Sequence, residues 1–143
     1  MTYDDTQWHE DSVSDLGLAP ENAATHIGIF YAWMRANGLA TGTRLWHGIS
    51  EPVPDPHLHL LDTRALTPGR YLLDNLAGQF DSGAFTEAGN AFVTEMYPVY
   101  LRRYSTHPVV RRLGEYGAPD TWETYDEVAP LITELYQSWR SGR

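Results

Sequence analysis

Cysteine and lysine are both missing from this 143-residue chain. Without cysteine there can be no disulfide, no thiol nucleophile and none of the common thiolate zinc sites. All ten basic residues are arginine, a bias that coding drift toward GC-rich codons produces readily and that carries no functional weight. No apolar run approaches the roughly 18 residues that a membrane helix needs. The N-terminus MTYDDTQWHEDS has neither the basic start nor the apolar centre of a signal peptide, so a cytoplasmic protein is expected. Phosphate loops ending in Gly-Lys, HExxH and GxSxG are also absent, which disfavours the common motif-borne hydrolases.

What is present is a net charge of −9 and an apolar content of 42 %, with 13 % aromatic residues, enough for one sizeable core. Residues 1 to 21 hold six acids and no base, and residues 113 to 136 hold another six and no base. Such a surface repels nucleic acid and anionic membrane, and it speeds association with a basic protein. Solubility alone is the competing explanation of the charge.

Pro20 to Leu39 is the clearest helix. Ala23, Ile27, Phe30 and Met34 recur on one face, with His26 and Trp33 on its shoulder beside Asn22 and Asn37. Pro20 and Glu21 suit its start, and Asn37-Gly38 its end. A second helix is expected from Thr67-Pro68 to Gly78. A third runs from Thr86 to Tyr104, its broad apolar sector suggesting a central position and Pro98 a kink near Thr94. A fourth carries Tyr125, Ala129, Ile132, Tyr136 and Trp139, with Asp120 and Glu123 spaced as a capping box and Pro130 either kinking it or starting another.

No convincing alternating strand is visible, and no repeat of fixed period. The expected fold is all-α, a compact single domain over residues 1–143 with four principal helices and some short ones. Residues 1–19 should dock on the body through Trp8, since an exposed terminal indole is unfavourable. Thr43 to Ile49 could form a short helix presenting Leu45 and Trp46, ahead of a proline-rich loop over 50–66 set by Pro52, Pro54 and Pro56.

Three groups could carry chemistry. His57, His59 and Asp62 share an extended segment, a weak metal pattern that reads better as surface loop. The four arginines Arg102, Arg103, Arg111 and Arg112 form the only basic cluster and are expected to pair with acids of the final helix. The third set is His9, His26, Glu87 and Asn90, with Asp5 as a possible orienter of His9. A hydrogen-bonded structural cluster is favoured for it over catalysis. No metal and no cofactor is expected.

The strings YDDTQWH, ATHIGIFYAW, EAGNAF and TWETYDEVAP, in this order from Tyr3 to Trp139, resemble an uncharacterised bacterial domain family. The departure from its pattern lies between Thr41 and Leu66, where proline replaces helix, and at Phe30-Tyr31. The resemblance singles out Asp4, Asp5, Trp8, His9, His26, Glu87 and Asn90 as motif positions without assigning them roles, and it implies an association with toxin and immunity systems. The expectation is therefore an acidic protein-binding module, an immunity protein covering a basic toxin. The alternatives are a small enzyme or ligand receptor built on the His/Glu/Asn set, and a homodimer joined through surplus aromatics.

Overall fold

The computed structural model describes residues 1–44, 51 and 53–142. The chain opens with strand β1 (Thr2–Asp5), a 3-10 turn (Thr6–His9) and helix α1 (Glu10–Asp15). A second 3-10 turn (Pro20–Ala24) leads into α2 (Thr25–Ala36), followed by strands β2 (Thr43–Arg44) and β3 (Val53–Pro54) and helices α3 (Leu58–Asp62) and α4 (Pro68–Leu76). Strand β4 (Gln79–Asp81), α5 (Glu87–Ser105), α6 (Pro108–Leu113) and α7 (Trp122–Ser141) complete the order. Among the described residues the fold is thus mostly helical, with α2, α4, α5 and α7 as its longer helices, and no helix is long and apolar enough to cross a membrane.

Two small antiparallel pairings, β1 with β4 and β2 with β3, correct the expectation of no strands. They were not legible because β1 spans four residues with a register irregularity between Thr2 and Asp4, which destroys alternation, and β2 and β3 have two residues each. Residues 53–66 are likewise not plain loop, since they hold β3 and α3. Of the short helix expected over 43–49, Thr43 and Arg44 are strand, while Leu45 and Trp46 lie outside the described residues.

The central helix is α2, not α5. Ala23, Ile27, Phe30 and Met34 are fully buried, but so is almost everything between Thr25 and Met34 on every side. A helix apolar all round sits inside its neighbours. Gly28 allows α4 its close approach, because a Cβ there would stand 2.5 Å from the Pro68 carbonyl. Gly38, at φ +75°, ends α2 in the left-handed conformation while Leu39 N–H returns to the Met34 carbonyl at 3.0 Å. Helix α5 buries one face only, through Phe92, Val93, Tyr97, Tyr100 and Tyr104. It runs through Pro98, and α7 runs through Pro130 as one helix.

Helix α7 is capped by Thr121, whose hydroxyl accepts the Thr124 N–H at 3.1 Å. Asp120 turns the other way. Its carboxylate accepts from Gly69 N–H at 2.8 Å and Arg70 N–H at 3.0 Å, stabilising the start of α4 instead of its own helix. Two of the four clustered arginines do reach final-helix acids, Arg103 to Glu134 and Arg112 to Glu127.

Candidate functional site

Asp4 is the centre of the main polar cluster. It lies on β1 opposite Phe80 and is 2 % exposed. Its Oδ1 accepts from the Asp5 N–H at 2.8 Å and from His9 Nε2 at 2.7 Å. Oδ2 accepts from the Tyr97 hydroxyl at 2.6 Å and faces His26 Nε2 at 3.5 Å. One carboxylate thereby joins β1, the first 3-10 turn, α2 and α5.

Local sequence explains why His9 returns to Asp4. Asp5 caps the 3-10 turn by accepting the Gln7 N–H at 2.9 Å, and the turn carries the chain back over β1. Asp5 is therefore a cap, and the residue that orients His9 is its neighbour Asp4. On the other side of the ring, His9 Nδ1 meets the Tyr116 hydroxyl at 2.7 Å. Tyr116 is itself fixed, since its carbonyl accepts from the Asn22 amide at 2.7 Å. The two imidazoles meet edge to face, 4.7 Å between centroids.

Burial pushes the Asp4 carboxyl upward, yet the contacts from His26, His9 and Tyr97 outweigh it and hold the group well below the ordinary carboxylate range. Burial lowers the His26 imidazole despite Asp4 beside it, so that ring is neutral at pH 7. Burial raises the Tyr97 and Tyr116 phenols, which stay protonated and able to donate. The arrangement is therefore a carboxylate ringed by donors, of which the His26 imidazole and the Tyr97 phenol are neutral at pH 7. A cavity of about 110 Å³ opens beside it, lined by His9, His26, Leu101, Tyr104, Glu115 and Tyr116.

The remaining expected site residues do not join this cluster. Glu87 is exposed in the first turn of α5, where it complements the positive helix end. Asn90 accepts from the Tyr3 hydroxyl at 2.8 Å and donates to the Ser82 carbonyl at 3.1 Å, so it ties β1 down by a separate bond. Trp33 lies seven residues beyond His26, about 10 Å along the helix. Its indole donates to the Thr133 hydroxyl at 3.0 Å and packs on Phe92 and Tyr136. The cavity beside His9 and His26 is lined by neither Glu87 nor Asn90. His57, His59 and Asp62 also diverge: His57 Nδ1 meets Asn75 Oδ1 at 3.0 Å, and Asp62 pairs with Arg35 at 2.9 Å.

Trp8 departs furthest from expectation. It is 61 % exposed although its neighbours are fixed, His9 by Asp4 and Tyr116, and α1 by Val13 at 1 % exposure. The N-terminal segment docks through Tyr3, Asp4 and Val13, and the indole is left in water. The segment that follows carries Glu10, Asp11 and Asp15, all exposed, and Leu16 at 59 % exposure.

Sequence reasoning missed Tyr97 and Tyr116. Tyr97 was hidden in an aromatic helical stripe that reads as core. Tyr116 had a usable signal, an isolated aromatic between Gly114 and Gly117, a type of loop residue that packs on something.

Residues 2–116 match the profile of a domain of unknown function, DUF7832, and the chain belongs to that family. The matched span contains Asp4, Trp8, His9, His26, Tyr97 and Tyr116. No curated protein and no solved structure matches the chain.

Proposed function

We propose that this protein is an acidic protein-binding module, of the immunity type, that neutralises a basic toxin by covering its active surface. The observation that carries this reading is Trp8, an indole held out of the core on a segment fixed at both sides. Leaving a large apolar side chain in water forgoes about 2 kcal/mol of burial. A frayed terminus would explain that exposure, but here the backbone of Trp8 belongs to a capped turn. Tryptophan is the residue type most enriched among those that dominate binding energy, and Leu16 supplies a second apolar contact. The exposed acids Glu10, Asp11, Asp15 and Glu21 give the same N-terminal stretch of chain the negative charge that draws in a basic partner.

The test is co-purification with, and protection from, the toxin encoded beside the gene for this protein. Complex formation should be lost on Trp8→Ala by a factor of about 30 or more, as for a central aromatic contact. Raising salt should slow association far more than it speeds dissociation. No complex and no protection with any neighbouring toxin would end this reading.

A further inference from the structure

We propose that Asp4, His9 and His26 form a binding site for a first-row divalent transition-metal ion, with the adjoining cavity open to its remaining coordination positions. Two imidazoles and one carboxylate converge here from three separate elements, and one ligand atom from each lies within 4.8 Å of the other two. A structural latch needs only one imidazole, and His9 already fills that role at 2.7 Å. His26 is the anomaly. It is 4 % exposed, and among the described residues its ring has no polar contact closer than the 3.5 Å approach to Asp4. That contact with the carboxylate is long, and a cation between the rings would take the ring nitrogen directly.

The donor set selects the class of ion. Imidazole nitrogen with a single carboxylate suits zinc, iron, cobalt or nickel rather than calcium or magnesium, which prefer all-oxygen shells. Bonds of about 2.1 Å place tetrahedral ligand atoms roughly 3.4 Å apart. His26 Nε2 meets that spacing at Oδ2, 3.5 Å away, and His9 Nε2, 2.7 Å from the other oxygen Oδ1, must draw back by less than about 1 Å for an ion held between the two rings and the carboxylate. His9 has the freedom to do so, being partly exposed on a 3-10 turn.

Its outer partner also fits. When Nε2 holds the metal, the ring proton resides on Nδ1 and is donated to the Tyr116 oxygen. When Nε2 instead donates to Asp4, the Tyr116 hydroxyl can donate to Nδ1. A phenol can serve either tautomer, as a second partner of a metal-ligating histidine must. Tyr97 holds Oδ2, the carboxylate oxygen that faces His26, in both cases. The cavity of about 110 Å³ leaves room for water or a small anion on the open side, with Glu115 on its wall.

The experiment uses untagged, chelator-treated protein and zinc or cobalt(II) alone. Calorimetry should show one tight zinc equivalent, and cobalt(II) should give intense visible bands of a low-coordinate site. His9→Ala should weaken zinc binding by at least 100-fold, and Tyr116→Phe by about 10-fold, the usual effect of losing an outer-sphere partner. His59→Ala should change nothing. In the unmutated protein, zinc should move the ring-nitrogen resonances of His9 and His26 and leave those of His57 and His59 in place. That reading stands even if His9→Ala fails to fold. Absence of a tight zinc equivalent, or ring shifts confined to other histidines, would overturn the proposal. The assignment does not depend on the toxin-binding reading, since neither measurement involves a protein partner.

Discussion

Two buried aspartates hold two different stretches of chain to the helical body, and their surroundings set them apart. Asp4, 2 % exposed, accepts from a histidine, a tyrosine and a backbone amide, and a second histidine stands close by. Asp55, 8 % exposed, accepts from the Tyr71 hydroxyl and, at 3.0 Å, from the His57 N–H. Around it Asn75 bonds the His57 ring, and Arg44 donates to the Asn75 carbonyl. The Asp55 carboxylate ties β3 and the start of α3 onto α4 through a phenol and a backbone amide, and the His57 ring bonds Asn75, not the carboxylate. The Asp4 group uses side chains that titrate, and a cavity reaches it from solvent. The same device, a carboxylate collecting donors, is a plain fastening in one place and a place for chemistry in the other.

The largest expected effect separates the two directly. Asp4→Ala strands a phenol and an imidazole in the interior and should cost about 3 kcal/mol or more in urea unfolding. Asp55→Ala strands fewer groups at a more exposed position and should cost about 1–2 kcal/mol. Equal losses would erase the distinction.

Acid should act on the Asp4 group first. His26 and Asp4 are both depressed in the folded protein, so the unfolded chain binds more protons as pH falls. In chelator-treated protein, stability should therefore decline from the ordinary histidine value of 6.5 downward, and again through the carboxylate range. His26→Gln should remove the upper part of that decline in a pH series of unfolding curves, and Asp55→Asn should leave it in place. Alkali does not discriminate, because burial raises Tyr97 at one aspartate and Tyr71 at the other, so both groups lose stability above the ordinary tyrosine value of 10.0.

Tyr116→Phe is a finer probe. It removes one hydrogen bond to His9 and should cost about 1 kcal/mol by thermal unfolding while the fold persists. Smallest of all is Trp8→Ala. Removing an indole already in water should leave stability within about 0.5 kcal/mol. A loss near 2 kcal/mol would mean that Trp8 packs after all.

The long helices were readable because their apolar spacing and their caps agree. Thr86 caps α5 and Thr67 caps α4 through their hydroxyls, and Gly38 stops α2, each as local chemistry predicts. What sequence could not give was convergence. Asp4 and Asp5 are adjacent identical residues, and only the 3-10 turn decides which faces inward to His9 and which caps. Trp33 and His26 share a helix side but belong to opposite ends of the core. Asp120 has the spacing of a cap for its own helix and serves another, because α4 brings the Gly69 and Arg70 N–H groups within 3.0 Å of it. Trp8 was misjudged for a different reason: burial is the usual fate of an indole, and one left in water looks the same in sequence.

The central claim is that the Asp4 group holds the turn carrying Trp8 rigid while the indole stays in water. Backbone ¹⁵N relaxation over residues 5–13, read together with acrylamide quenching of Trp8, tests it most directly. The account predicts order parameters of about 0.85 through the turn, as for rigid backbone, and an indole open to quencher. Order parameters below about 0.6 over the same residues would make Trp8 part of a loose terminus and contradict the claim.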